Sequence, residues 1–311
     1  MRIRFWGARG SLPSPLLPSQ VRDKLSEALA IARPEDLLDS ESRKRFIDGL
    51  PPWLSSTVGG NTSCVSIDID GLGGRIVFDC GSGMRELGKA DAAEPASKYH
   101  VFLSHFHWDH LQGLPFFGPA FRPSVSVDFY SPRPGFETDL AGLMRDPYSP
   151  IRIEDMPSKK RFRLLEAPID VGGAKVSFKP MCHPNGSFAY RLVHNGRRFI
   201  YATDSELDVD DFADTVENRD FFTGADLIMV DAQYTLLEAI QKRTWGHSSY
   251  SMAVEFAARW GIGHLVLFHH DPASDDRKLH GILRSARAYA RRLSSKGIEV
   301  TLAQEGGEII L

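Results

Sequence analysis

The chain has 311 residues, enough for one large domain or two small ones. Hydrophobic residues make up 42% and charged residues 25%, ordinary for a soluble globular protein, and a net charge of −3 argues against a chain whose main work is coating a nucleic-acid backbone. No apolar run approaches the roughly 20 residues of a membrane span, no signal-like segment opens the sequence, and Cys64, Cys80 and Cys182 form no CxxC pair, which disfavours a disulfide scaffold and leads us to expect a cytoplasmic protein.

Residues 1–6 alternate as a strand does and stop at Gly7. A proline-rich stretch follows, and then Val21, Leu25, Ala28, Leu29 and Ala32 recur at helical spacing. Pro34 is suited to open a second helix carrying Leu37, Leu38, Phe46 and Ile47. We read about 13–56 as a helical insertion that covers apolar surface; the sharper alternative is a cap over a site or an oligomer contact. Strands are expected at Ser63–Ile69 and Arg75–Asp79. The turn Asp79-Cys80-Gly81-Ser82-Gly83 either offers N–H groups to a phosphate or merely joins a strand to the helix Met84–Lys89.

The next strand, Tyr99–Leu103, runs into Ser104-His105-Phe106-His107-Trp108-Asp109-His110. A lone histidine is usually a packed or solvated residue, but His, His, Asp and His on one turn have few structural reasons to occur together. Residues two apart in extended chain face the same way, so His105 and His107 can share one ion, while Asp109 and His110 reach a second. A short helix is expected over Leu111–Phe117. Strands follow at Val125–Tyr130, Arg161–Glu166 and Lys175–Pro180, with a helix at Glu137–Arg145. The basic run Lys159-Lys160-Arg161 with Arg163 reads as a solvated sheet edge rather than a nucleic-acid contact.

His183 falls just past a strand end, with Cys182 before it expected to pack. Phe188–Val193 and Arg198–Tyr201 make a hairpin across Asn195-Gly196, and Asp204 follows its second strand. Leu227–Val230 ends in Asp231. Ser248 is the expected N-cap of a helix lined by Met252, Ala253, Phe256, Ala257 and Trp260. His264–Phe268 is a strand ending at His269, and Asp275 and Asp276 cap a last helix with core residues Leu279, Ile282, Leu283, Ala286 and Leu293. That helix is expected to end at Ser295 and Lys296-Gly297, before closing strands at Ile298–Leu302 and Glu308–Leu311. His100, His194, His264 and His280 receive structural readings, and His270 supports a neighbour.

His105, His107, Asp109, His110, His183, Asp204 and His269 thus all lie at probable strand ends, where loops on one sheet edge converge. Two divalent ions need about seven or eight ligands between them, and imidazole with carboxylate suits zinc, manganese or iron. Asp204, with two oxygens, can bridge both ions.

The motif His105-x-His107-x-Asp109-His110, followed by His183, Asp204 and His269, resembles the metallo-β-lactamase superfamily. The resemblance implies an α+β fold, a four-layer αββα sandwich, formed as a single domain over 1–311 with the 13–56 insertion. It implies His105, His107 and His183 at one metal, Asp109, His110 and His269 at the other, and Asp204 between them. Gly246-His247-Ser248-Ser249 and Asp226–Ala232 are similar to the phosphodiesterase branch that includes ribonuclease Z, with Asp231 standing where that branch usually carries glutamate. Gly59-Gly60-Asn61-Thr62-Ser63-Cys64 resembles a loop of small-nucleotide phosphodiesterases and is expected near the site.

The implied activity is hydrolysis of a small phosphodiester, such as a cyclic nucleotide, by a hydroxide shared between two ions, zinc first and manganese or iron as alternatives. Asp109, His247 and Asp231 are the implied catalytic residues, with His247 held by Asp231 to protonate the leaving oxygen. A ribonuclease Z-like nuclease, with nucleic acid as partner, and a lactone or thioester hydrolase are the alternatives. A homodimer and no membrane partner are expected.

Overall fold

The computed structural model describes residues 1–293 and 297–311, so the expected helix end at Ser295 and Lys296 lies outside the described residues. The first sheet contains β1 (Arg2–Gly7), β2 (Cys64–Asp68), β3 (Arg75–Phe78), β4 (Lys98–Phe102), β5 (Ser126–Ser131) and β6 (Lys159–Leu164). The second contains β7 (Ile169–Val171), β8 (Ala174–Met181), β9 (Ser187–His194), β10 (Arg197–Ala202), β11 (Leu227–Asp231), β12 (His264–Phe268) and β13 (Glu299–Leu302). The last strand, β14 (Glu308–Ile310), returns to the first sheet. The strand orders are β14-β1-β2-β3-β4-β5-β6 and β13-β12-β11-β10-β9-β8-β7.

The period of two along each strand divides the apolar residues between layers. On β11, Leu227 and Met229 join the core between the sheets, while Ile228 and Val230 join the core under the outer helices Tyr250–Arg259 and Asp276–Leu293. On β3, Ile76 and Phe78 face the other sheet, and Val77 faces the outer core containing Met84 and Leu87 of the helix Gly83–Ala90. Strands buried on both faces read as unbroken apolar runs because a layer covers each side. This is the four-layer αββα arrangement. Among the described residues, no helix is long and apolar enough to cross a membrane.

Several local expectations change. The second helix of the insertion divides into a 3-10 turn, Pro34–Leu37, and a helix, Ser40–Gly49, because the Asp39 carboxylate accepts from Ser42 N and caps a new start. The helix Pro18–Ile31 fully buries no residue, and Val21, Leu25 and Leu29 are exposed, so the larger side chains of its apolar stripe are left uncovered among the described residues. Leu111–Phe117 is not one helix. Short 3-10 turns at Trp108–His110, Leu114–Phe116 and Gly118–Phe121 replace it, since Pro115 and Pro119 lack the N–H that a continuous helix needs. Ser249, not Ser248, caps Tyr250–Arg259 by accepting from Met252 N; Ser248 Oγ is used by Leu207 N and the Ser205 carbonyl. Leu293 is exposed, and Ala290 fills the last buried position of its helix. The basic strand β6 is a sheet edge, and the hairpin turns at Asn195-Gly196 with both residues at positive φ.

Asp275 caps the last helix through Lys278 N, but Asp276 reaches elsewhere. Its buried carboxylate accepts from Val58 N (2.9 Å), Thr57 Oγ1 (3.1 Å) and Lys24 Nζ (2.5 Å). It therefore ties the insertion to the outer helix Asp276–Leu293. Removing it strands a buried N–H and an ammonium, so Asp276→Ala is expected to lower unfolding free energy by about 2–3 kcal/mol. Urea denaturation measures this, and limited proteolysis should show earlier cutting within 13–56; unchanged stability would refute the tie.

Candidate metal centre

Each candidate side chain sits where a strand ends. His105, His107, Asp109 and His110 follow β4, His183 follows β8, Asp204 follows β10 and His269 follows β12. Adjacent strands of like direction deliver these ends to one edge, since β3-β4-β5 and β10-β11-β12 pair in parallel. Asp79, Asp204 and His269 all adopt positive φ (60°, 48° and 58°), a turn that redirects the chain directly after the strand. Such left-handed residues cost energy, so the surrounding structure must hold them.

The structure brings all seven expected residues together in two groups sharing Asp204. One comprises His105, His107, His183 and Asp204, the other Asp109, His110, His269 and Asp204; within each, the ligand atoms lie within 4.8 Å of one another. Asp204 Oδ1 is 3.6 Å from both His105 Nε2 and His183 Nε2. Its Oδ2 is 3.0 Å from His110 Nε2 and 3.1 Å from His269 Nε2. Asp109 Oδ2 lies 3.1 Å from His110 Nε2 and 3.2 Å from His269 Nε2.

Outer hydrogen bonds decide which ring nitrogen faces inward. His110 Nδ1 is 2.7 Å from Asp79 Oδ2, His183 Nδ1 is 2.9 Å from the Gly246 carbonyl, and His105 Nδ1 is 3.1 Å from Ser104 Oγ. His107 is turned the other way, with Nδ1 3.1 Å from His183 Nε2. Ser11 N donates to Asp109 Oδ2 at 2.7 Å. Two glycines make room: a Cβ on Gly10 would lie 2.4 Å from His269 Nδ1, and one on Gly246, at φ +85°, would lie 2.2 Å from His183 Nδ1.

The donor set fits divalent cations. Once Nδ1 donates outward, His110 Nε2 is a lone pair, yet it stands 3.3 Å from His269 Nε2 and close to two carboxylates. Buried His105 Nε2 has no hydrogen-bond partner among the described residues. Positive charge between these atoms removes the conflict. Burial, together with the neighbouring His110, lowers the pKa of His105 and keeps it in the neutral form that binds metal. Burial acts against protonation of His110 too, but Asp204, Asp109 and Asp79 outweigh it and raise its pKa in the absence of an ion.

His247 stands beside this centre. Its Nδ1 is 2.6 Å from Asp231 Oδ2, so the shorter aspartate side chain still reaches. Burial opposes its charging, but Asp231 wins and pushes its pKa up to about 9. Its ring stacks on that of His269 with centroids 5.0 Å apart.

The remaining expectations divide. The glycine turn after β3 does not offer N–H groups to a phosphate: Cys80, Gly81 and Gly83 donate to the carbonyls of His110, Ser63 and Thr62, and Ser82 N to Thr62 Oγ1. The 59–64 loop braces the neighbouring backbone, with the Asn61 carbonyl accepting from Ala8 and Arg9. Cys182 is exposed rather than packed. His270 has the structural role expected of it: it is buried, with Nε2 2.9 Å from the Ala303 carbonyl. Sequence reasoning did not assign Asp79, Gly10, Ser11 or Gln233, whose Nε2 is 3.4 Å from His269 Nδ1. Asp79 carried a usable signal, being an acid at a strand end like Asp204.

Residues 74–270 match the family model described as the beta-lactamase superfamily domain, a span that holds every candidate ligand and leaves out the insertion. Ribonuclease Z of Prochlorococcus marinus (strain MIT 9303) is 25% identical over 266 residues, covering 68% of this chain and 81% of the relative. The metallo-β-lactamase fold protein YhfI from Bacillus subtilis superposes with a TM-score of 0.65 at 18% identity, covering 99% of this chain and 98% of that one. A diphosphatase of the PhnP family gives 0.63 at 16% identity, covering 100% and 97%. With most of the chain inside the family match, and the same four-layer fold in its neighbours, the protein belongs to the metallo-β-lactamase superfamily and is a metal-dependent hydrolase.

Proposed function

We propose that residues 1–311 work as one unit, a dinuclear phosphodiesterase acting on a small phosphodiester such as a cyclic nucleotide. The observation that carries this reading is Asp204, whose two oxygens face the two histidine groups separately, with the His247–Asp231 pair next to them. His105, His107, His183 and Asp204 would hold one ion, and Asp109, His110, His269 and Asp204 the other, zinc first and manganese or iron as alternatives. When bound, such a pair supplies a water of lowered pKa and positive charge for the phosphoryl oxygens. Asp109, fixed by Ser11 N, orients what binds between the groups. His247, with Nδ1 engaged by Asp231, gives its Nε2 proton to the leaving oxygen as the P–O bond breaks.

Ribonuclease Z among the relatives supports a second reading, an RNA nuclease. The low net charge favours the small substrate. The exposed stripe Val21, Leu25 and Leu29 supports a homodimer.

Asp204→Asn keeps the shape of the bridge but removes its charge. Metal per chain, measured by plasma mass spectrometry, should fall from about two ions to one or fewer; retention of both would refute the bridging role. In His247→Ala the metal content should hold while kcat falls by roughly 10²–10⁴. The loss should be greater for an alkyl ester than for bis-p-nitrophenyl phosphate, whose leaving group needs no proton. Equal losses on both substrates would count against an acid and for a binding role.

A further inference from the structure

A cavity of about 1310 Å³ opens beside the centre, with His183 and His247 in its wall. Most of the remaining wall is hydrocarbon, from Val209, Phe212, Leu236, Ile240 and Met252. These side chains are not all there to fill a core: Val209 is 83% exposed, Ile240 65% and Leu236 51%, and the helix Leu236–Gln241 buries no residue. Single exposed apolar residues are ordinary, but several around one concavity mark a place for apolar matter. The polar rim is acidic. Glu206, Asp208 and Glu255 stand against one cation, Arg243. A strand of phosphates laid along this rim would meet three carboxylates, so charge favours a neutral, carbon-rich occupant.

We propose that this cavity is the leaving-group subsite and takes an aromatic or alkyl arm, so that the substrate is a small phosphodiester of a carbon-rich alcohol or phenol. The inference rests on the phosphodiesterase reading and adds the substrate class. Water contributes the new oxygen at phosphorus. The bond from phosphorus to the arm's oxygen breaks with its electron pair, and that oxygen takes the His247 proton inside the cavity. The products are a phosphomonoester and the free alcohol.

Methyl 4-alkylphenyl phosphates, with the alkyl chain running from methyl to n-hexyl, lengthen the leaving arm while barely changing the acidity of the phenol. With metal-loaded protein, kcat/KM should rise about two- to fourfold per methylene. The rise should flatten in Ile240→Asp and Val209→Asp, solvent-facing positions where a charge does not threaten the fold. A wild-type protein that cleaves the methyl ester but shows a flat series overturns the subsite and leaves the phosphodiesterase reading standing. A rise that survives Ile240→Asp but disappears in Phe116→Ser also overturns it, by placing the arm in the separate cleft of about 590 Å³ formed by Trp108, Phe116 and Tyr148. Calorimetry with the product 4-hexylphenol needs no turnover: binding with a negative heat-capacity change, lost in Ile240→Asp, is expected. Absence of binding refutes the cavity's role. Cleavage of a lactone but of no phosphodiester, with binding retained, refutes the reaction instead.

Discussion

The carboxylate of Asp79 is wholly buried and accepts from four donors at once. Ser104 N and Oγ and His110 Nδ1 reach it at 2.7 Å, and the Tyr201 hydroxyl at 2.8 Å. Ser104 and His110 belong to the loop after β4 of the first sheet, Tyr201 to β10 of the second. A charge removed from water is tolerable only when its oxygens are satisfied, so these groups must assemble together. The knot thereby couples the packing of two sheets to the orientation of one imidazole. Tyr201 also stacks on Phe78 at 5.2 Å between centroids, so the apolar core helps hold the donor in place.

From that anchor the centre is built by loops on a rigid frame. Parallel strands carry the ligand-bearing ends to one edge, and left-handed turns at Asp79, Asp204 and His269 redirect them. Gly10 and Gly246 allow backbone to approach the outer faces of two imidazoles. Backbone groups thus perform much of the work that the fold requires of the centre's surroundings: Ser11 N orients Asp109, and the Gly246 carbonyl orients His183. Precise placement of ligands by their neighbours is what would let two bound cations lie close enough to share the Asp204 carboxylate, as proposed.

The same edge opens onto an apolar concavity with an acidic rim. In the proposed reading the centre and the concavity take different chemistry, an anionic phosphoryl group and an uncharged arm. One substrate can satisfy both only if its charge and its carbon are separated by a short distance. In the proposed reaction this geometry would link His247 to selectivity as well as to proton transfer, because the residue borders both regions.

The sequence by itself determined the layers and the ligand types. Unbroken apolar runs such as Leu227–Val230 and His264–Phe268 demand burial on both faces, and the spacing of His105, His107, Asp109 and His110 depends on chain geometry over a few bonds. Tertiary structure decided whatever depends on a partner far along the chain. Asp276 has the local pattern of a helix cap but is taken by Val58 and Lys24, and the stripe on Pro18–Ile31 has the pattern of a buried face but leaves Val21, Leu25 and Leu29 exposed. The assignment of Asp79 to His110, and of Ser248 to Ser205 rather than to its own helix, follows the same rule. Local pattern fixes which groups need satisfying; only the packed fold decides who satisfies them, because a hydrogen bond or a buried contact is settled by distance in space and not along the sequence.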